Sequence, residues 1–529
     1  MMISNPNTHG NSHSLESENA LLKIKMTSIE SEKTSFQAEI ESLKEQNKKL
    51  IEKINWFEEQ LKLGRARKFG KQSEQTHAIQ TTLNLFDDNE SDEVTETEEP
   101  ISAERVRVTY ERAKPKKSGR KIDTTHLPRE QVVHDLKDHE KICTGCNNPL
   151  CKIGEDKSET LELIPAQLKV IEHVTPKYVC KQCDTINQAK KPEAPIQKCM
   201  AGTSLIVDVI IKKYDHHLPL YRQSKIFLQD KIDIPDNTLG NWVMNAAEIL
   251  APLAQAFWDQ VSLSNYIQAD ETTVKILYPD KKGFMWVYQS LDPNNRFIVF
   301  EFDLTRASAV CEKRLKDFKG LLQTDGYGGY EKIGKQQDII HLGCWDHARR
   351  KFVAAIKVSN NRAGIAAQLL QLINSLYDIE REIKEKSIVE RYQMRQEKSK
   401  PILEKIFSTA KTIKALPKSL LGDALTYLKN NEPNLMRYIE HGQSQISNIL
   451  TENQIRPFAI GRKNWLFVGN EESANKSALL YSIIQSCKIN NLDIRQYLTY
   501  VLNHAHDMRR NNIDPKSLLP QFIKPEILG

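Results

Sequence analysis

The chain has 529 residues, enough for about three or four domains at ordinary domain sizes, and carries 75 Lys+Arg against 69 Asp+Glu for a net charge of +6. No apolar run approaches the ~18 residues of a membrane span, and the N-terminus has no charged-then-apolar leader pattern, which points to a soluble, intracellular, cytoplasmic protein with no membrane partner. Nine cysteines are ordinary usage, but five fall between residues 143 and 183, and in a reducing compartment paired cysteines mean metal more often than disulfide.

Residues 15–61 carry a heptad. Leu15, Leu22, Ile29, Phe36, Leu43, Leu50 and Phe57 take the d positions, while Asn19, Met26, Lys33, Ile40, Asn47, Ile54 and Leu61 take a. Polar residues at a lower stability but select two-stranded, in-register pairing. The g-to-e′ pairs Glu18–Lys23, Lys25–Glu30, Glu39–Lys44 and Lys53–Glu58 of a parallel homodimer are all attractive. A parallel coiled coil over 15–63 is therefore favoured over a long helix packed on its own protein. The segment 64–125 opens on Arg65-Ala66-Arg67-Lys68; residues 87–99 hold eight acids and no base, and residues 105–121 eight bases and one acid. Charge segregated in this way describes a flexible linker, either simply solvated or with a basic half that meets phosphates.

Residues 126–200 contain two C-x₂-C knuckles, Cys143-Thr144-Gly145-Cys146 and Cys180-Lys181-Gln182-Cys183, separated by 33 residues. Each knuckle puts two thiolates on one tight turn, and two knuckles complete a tetrahedral Zn²⁺ site with no open position, so one structural, non-catalytic zinc is expected. The separation exceeds the usual spacing of about 15–20. Thr160–Ile164 and Lys169–His173 read as hairpin strands of a zinc ribbon, with Cys151 and Cys199 as spare thiols. Residues 201–260 read as helices over Leu205–Tyr214, Tyr221–Leu228 and Asn237–Ile249. The turn Asp233-Ile234-Pro235-Asp236-Asn237 suits a DNA-binding helix-turn-helix, though a plain helical bundle fits equally well.

Five β-rich runs follow: Tyr266–Ala269, Phe284–Gln289, Arg296–Phe302, Leu321–Thr324 and Asp338–Leu342. A helix over Ala307–Phe318 separates the third from the fourth, and a helical turn near Tyr330–Ile333 separates the fourth from the fifth. This is the element order of a ribonuclease-H-like fold. The expected core spans 261–352 and 441–490, split by a helical insertion at 353–440 and followed by a C-terminal helical region at 491–529. The fold class is thus multidomain α/β.

Asp270 closes the first strand run, Asp325 follows the fourth before Gly326-Tyr327-Gly328-Gly329-Tyr330, and Glu452 sits in a short polar helix candidate before Ile455-Arg456-Pro457. Mg²⁺ requires hard oxygen ligands, and two strand-end aspartates with a helical glutamate suit a pair of Mg²⁺ (or Mn²⁺) ions for in-line attack on a phosphodiester. The plain alternative for either aspartate is a cap or turn residue, and Glu440, Glu471 and Glu472 compete with Glu452 as third acid; spacing does not choose among them. Arg349, Arg350 and Lys351 suit phosphate contacts, or equally a solvated helix face. Arg456, Arg462, Lys463 and Trp465 offer cations and a stacking surface for DNA near Glu452, with a core tryptophan among solvated neighbours as the alternative. His341 and His347 have ligand chemistry, although buried or surface histidines are the commoner case.

Read together, these segments resemble the transposases of the insertion sequence 66 family over nearly the whole chain. The resemblance rests on the two knuckles, Leu218-Pro219-Leu220-Tyr221-Arg222-Gln223, Ala269-Asp270-Glu271-Thr272 and Asp325-Gly326-Tyr327. It continues through Cys344-Trp345, His347-Ala348-Arg349-Arg350-Lys351-Phe352, Glu452-Asn453, Ile455-Arg456-Pro457 and Gly461–Phe467. Two positions depart from the family pattern: Ser447 precedes Asn448 where an aspartate is usual, and Asp346 stands where a small residue is expected. The resemblance implies a DDE transposase with Asp270, Asp325 and Glu452 as catalytic acids. It also implies partners: double-stranded DNA (terminal repeats and target), a second subunit, and element-encoded accessory proteins. A non-catalytic DNA-binding remnant or regulator is the other reading, and a cellular nuclease of the same fold is disfavoured by the zipper and the ribbon.

Overall fold

The computed structural model describes residues 12–69, 167–179, 186–189, 194–197, 199–359, 364–416 and 419–528. Cys143, Cys146, Cys151, Cys180 and Cys183, the linker from residue 70 onward and Thr160–Ile164 lie outside the described residues. The chain divides into two compact units, residues 1–87 with 192–529, and residues 88–191.

Helix α1, Ser12–Phe69, is one helix of 58 residues, about 87 Å long at 1.5 Å per residue. Its heptad stripe is uncovered: Leu22, Ile29, Phe36, Leu43, Leu50 and Phe57 are 52–63% exposed. In the smaller unit, strands β1 (Lys177–Val179) and β2 (Ile186–Gln188) form an antiparallel hairpin with Tyr178 opposite Asn187. The strand expected at Lys169–His173 is not formed. A strand exists only with a hydrogen-bonded neighbour, and here the pairing falls some eight residues later, flanking the second knuckle rather than preceding it.

Four helices follow, α2 (Thr203–Tyr214), α3 (Leu220–Gln229), α4 (Asp236–Ile249) and α5 (Pro252–Leu263). Pro219 and Pro235 precede α3 and α4, and Pro252 opens α5; a helix start has no use for the missing N–H, so proline is tolerated there. Ile206, Ile210, Val243 and Phe257 pack into the same core as Ile267 and Val287 of the sheet. Residues 201–260 are therefore built onto the sheet rather than standing as a separate globule.

The sheet comprises β3 (Tyr266–Tyr278), β4 (Lys281–Ser290), β5 (Ile298–Asp303), β6 (Gly320–Gln323) and β7 (Ile339–Leu342), in the order β5-β4-β3-β6-β7. The first three are antiparallel neighbours; β6 and β7 run parallel to β3. Helix α6 (Ser308–Leu315) makes the crossover from β5 to β6 that parallel strands require. β3 does not end at Asp270, as its sequence suggested: it runs on through Glu271, Thr272 and Thr273, whose ladder with Trp286, Met285 and Phe284 continues unbroken. The β-branched Thr272-Thr273-Val274 run suits a strand despite its polarity.

Helix α7 (Trp345–Ser359) leads into the insertion, with α8 (Ile365–Glu382), α9 (Ile388–Met394), α10 (Lys400–Thr412) and α11 (Leu420–Met436). These helices bury a second core of Trp345, Phe352, Leu369, Phe407, Leu428 and Tyr438. The chain returns through α12 (Ile449–Trp465), β8 (Val468–Asn470) and α13 (Glu471–Ile489), then α14 (Ile494–Asn503), α15 (Ala505–Arg509) and α16 (Pro525–Leu528). The helix holding Glu452 is not short. It continues through Pro457 because Ile455, Phe458 and Ala459 are buried, and that packing offsets the lost backbone bond. β8 pairs with the far end of β3; three residues including Gly469 and Asn470 give almost no strand signal. α13 covers edge strand β5: Ser482 and Ser486 accept the Phe300 and Ile298 N–H groups at 2.8 and 2.9 Å, satisfying an edge that would otherwise face outward.

Candidate active site

Register brings the first two acids together. Gln268 of β3 lies opposite Gln323, the last residue of β6; Asp270 stands two residues further along β3 and Asp325 two residues past the end of β6, so both leave this paired end of the parallel strands. Oxygens of Asp270, Glu271 and Asp325 all lie within 4.8 Å of each other. The Asp325 carboxylate accepts the Tyr327 N–H at 2.8 Å, an Asx turn that Gly326 completes at φ +89°. A Cβ on Gly326 would also stand 2.8 Å from Asn431 Oδ1, so this turn requires glycine both for conformation and for room. From α11, the Tyr427 hydroxyl donates to the Asp325 carbonyl at 2.7 Å, so the insertion grips the turn directly.

Glu452 is held by a buried amide network at the root of α12. Gln268 donates to Gln323 Oε1 at 2.8 Å and to the Ser447 carbonyl at 3.0 Å. The Thr451 hydroxyl donates to Gln289 Oε1 at 3.1 Å, and Gln323 donates to the Gly343 and Gln445 carbonyls at 3.0 and 2.9 Å. Tyr266 closes the network with a 2.6 Å bond to Gln323. These partners fix the first turn of α12, and with it Glu452, against the strand that carries Asp270. Glu440 and Glu471 are exposed, whereas Glu452 is buried.

Burial, first, and then Asp325, Glu271 and Glu452 raise the Asp270 pKa well above the usual carboxylate range. Burial likewise raises Asp325, against the pull of the Tyr327 N–H and of Arg306 and Arg350. Glu271 is raised by burial and Asp325, although Arg306 forms an ion pair with it and the Tyr330 hydroxyl donates to its Oε2 at 2.7 Å. Glu452 is raised by burial and countered by Arg350, its ion-pair partner. His347, whose Nδ1 lies 3.7 Å from Glu452 Oε1, is pushed down to about 3 by burial and by Arg350, and so stays neutral. A buried group of carboxylates that suppress one another's ionisation is an arrangement a hard cation relieves. Oxygen-only donors from Asp270, Glu271 and Asp325 fit Mg²⁺ or Mn²⁺.

Of the cations singled out in the sequence, three are engaged within the protein. Arg349 donates to Asn374 Oδ1 at 2.9 Å, Arg350 pairs with Glu452, and Arg462 donates to the Thr273 carbonyl and hydroxyl. Lys351, Arg456 and Lys463 are exposed, Lys351 with its Nζ 5.5 Å from the Tyr427 ring. Trp465 is half-buried edge-on against Phe458 at 5.6 Å, a core position rather than an open stacking face. His341 is a buried partner of Thr324 at 2.9 Å. Asp346, the unusual residue, accepts the Tyr377 hydroxyl at 2.7 Å. Sequence reasoning missed Arg306, Tyr330, Tyr427 and the glutamines, which no spacing rule reveals; Glu271 alone had a signal, its adjacency to Asp270.

Comparison with known proteins bears on the same segment. Residues 198–476 match the profile described as Transposase IS66 family, covering more than half the chain. The chain belongs to the IS66 transposase family. Residues 140–184, which include both knuckles, match the zinc-finger binding domain of transposase IS66. Residues 56–132 match a profile described as Transposase C of IS166 homeodomain. Uncharacterized protein y4hP of Sinorhizobium fredii (strain NBRC 101917 / NGR234) is 30% identical over 463 residues, 83% of this chain and 83% of its own. Uncharacterized protein y4jD of the same strain is 29% identical over 423 residues, 76% and 82% respectively. Membership of the family makes this a DNA-processing protein with a zinc-binding domain. Among the described residues no helix is long and apolar enough to cross a membrane.

Proposed function

We propose that the chain is a metal-dependent DDE transposase that cleaves DNA at the ends of an insertion sequence and transfers the freed strand to target DNA. The observation that carries this reading is the meeting of buried Asp270 with Asp325, whose carboxylate oxygens lie within 4.8 Å of one another, with Glu452 on the first turn of α12 buried nearby. The sheet order β5-β4-β3-β6-β7 supports a ribonuclease-H-like core. Asp270 and Asp325 would hold two Mg²⁺ ions together with Glu452, and Glu271 is best placed as the Arg306-bound carboxylate that keeps β3 in position. When bound, the ions supply activation of a water or 3′-hydroxyl and charge neutralisation at the leaving oxygen. Burial excludes bulk water from the acids. Arg350 neutralises Glu452 until the site is filled, and Lys351, Arg456 and Lys463 are the exposed cations available to phosphates.

The rest of the chain supplies binding. Cys143, Cys146, Cys180 and Cys183 hold one structural Zn²⁺, and the ribbon, the basic linker and the α3–α4 pair meet the terminal repeats. α1 pairs two subunits so that two ends are held together, and the complex works in the cytoplasm on nucleoid DNA, with element-encoded accessory proteins as further partners. One observation favours a non-catalytic regulator instead: Glu452 is bound by Arg350 and stands outside the Asp270–Glu271–Asp325 trio.

Cleavage of a labelled terminal-repeat duplex with Mg²⁺ or Mn²⁺, wild type beside Glu452→Ala, separates the two. Cutting at the element boundary by wild type alone is expected. Equal cutting by both proteins removes Glu452 from the chemistry, and binding without cutting by wild type favours the regulator.

A further inference from the structure

A second group of metal-binding side chains meets at Glu452. Atoms of Cys344, His347 and Glu452 all lie within 4.8 Å of one another, and His347 Nδ1 stands 3.7 Å from Glu452 Oε1. A His nitrogen and a carboxylate oxygen bonded to one tetrahedral zinc ion at about 2.0–2.2 Å stand about 3.3–3.6 Å apart, so this pair needs to close only slightly to share an ion. The donor set differs in kind from the neighbouring carboxylates. A thiol and an imidazole suit a thiophilic cation and offer little to Mg²⁺.

The surroundings are consistent with a further ligand. Asn448 is fully buried, yet neither its side-chain oxygen nor its nitrogen has a partner. Buried amides are nearly always satisfied; Asn448 is the N-cap residue of α12, four positions before Glu452, and a water held by the ion would satisfy both its oxygen and its nitrogen, which a cation alone would not. Arg350 presently lies across the trio, its guanidinium paired with Glu452 and 3.3–3.4 Å from both His347 ring nitrogens. It supplies there the positive charge that a metal would supply. His347 and Arg350 are about a quarter exposed, at 25% and 27%, and form the open side of the site.

We infer that Cys344, His347 and Glu452 form a second, thiophilic cation site that takes Zn²⁺ in exchange for Arg350 and thereby withdraws Glu452 from the Mg²⁺ site. Zinc at this position inhibits the enzyme. The inhibition rests on Glu452 acting as third acid, as proposed above; the coordination does not.

The test begins with full-length protein whose ribbon is already loaded with zinc, to which Co²⁺ is added. One further equivalent is expected to bind, with a thiolate-to-cobalt absorption band that is lost in both Cys344→Ser and His347→Asn. No band, or the same band in Cys344→Ser, overturns the site, because the band then belongs to the ribbon or to nothing. Mg²⁺-dependent cleavage is then titrated with Zn²⁺, each protein normalised to its own uninhibited rate. Cys344→Ser is expected to need at least tenfold more zinc for half-inhibition. Equal sensitivity overturns the inhibitory role. Cobalt bound at the trio in a protein that cleaves no terminal-repeat duplex would leave the site standing and overturn the reading of Glu452 as a catalytic acid.

Discussion

Asp270 illustrates a tension set at the level of single residues. Its carboxyl is buried beside three others and its pKa is raised, so the folded, metal-free protein disfavours the very charge that a cation would use. The sign of the resulting pH dependence follows. For a carboxylate raised on folding, the stabilising contribution is complete below the ordinary pKa of about 4 and is lost as pH rises through the folded value. The stabilisation by Mg²⁺ should therefore be larger at pH 7.5 than at pH 5.5, read as the difference between melting curves with and without the ion. A gain independent of pH would contradict the assignment of the ion to these acids. Asp270→Asn should abolish strand cleavage while making the metal-free protein more stable at neutral pH, because it removes a buried carboxylate whose ionisation burial and the neighbouring acids oppose; paired melting curves of the two metal-free proteins check this. The two aspartates were legible because each follows a short β-rich run. Arg306, Tyr330 and Tyr427 were not, since nothing in the residues around them indicates that Glu271 or the Asp325 turn is the partner.

Among the elements, the insertion does more than separate the second acid from the third. Arg395 is fully buried in a π-helical turn, Arg395–Ser399, between α9 and α10. It forms two bonds to Glu380 at 2.8 and 2.6 Å and donates to the His441 and Ser444 carbonyls at 2.7 and 2.9 Å. Those last partners belong to the segment that leads into α12. Arg395→Ala leaves Glu380 and several carbonyls without their donor and should destabilise the protein by about 3–5 kcal/mol, with cleavage lost through misplacement of Glu452 rather than through loss of DNA binding. A chemical-denaturation midpoint and an end-binding assay on the same protein check both parts. The helices of 201–260 and the strand order were readable from periodicity. β8 was not, because three residues carry no pattern, and the extension of α12 past Pro457 was not, because proline ordinarily ends a helix and only the buried Ile455, Phe458 and Ala459 explain why this one continues.

At the scale of the whole molecule, α1 presents an apolar stripe along its 58 residues in which Leu22, Ile29, Phe36, Leu43, Leu50 and Phe57 are each more than half exposed. A helix of that kind is stabilised mainly by packing of its apolar face, and the attractive g-to-e′ pairs support the second copy proposed above as its partner. Leu43→Lys should place a charge in the seam and convert a dimer into a monomer at micromolar concentration, with light scattering coupled to gel filtration as the readout. The core fold should be unaffected, because Leu43 is 52% exposed in the single chain. The heptad was legible from the sequence alone because a 3.5-residue repeat needs no tertiary partner to be seen. The sharing of one core by α2–α5 and the sheet was not, since apolar helix faces look the same whether they meet each other or a strand.

The distance between Asp325 and Glu452 also orders events in time. Glu452 lies 127 positions after Asp325, and at about 5–20 residues per second a ribosome needs roughly 6–25 seconds to add it. The heptad segment, the knuckles and both aspartates leave the ribosome before Glu452 is added, and the whole insertion is synthesised before α12. On the roles proposed above, a nascent or truncated chain gains the means to hold DNA before it gains the means to cut it. For a protein synthesised beside the DNA it would cleave, that sequence of assembly is a built-in delay on damage.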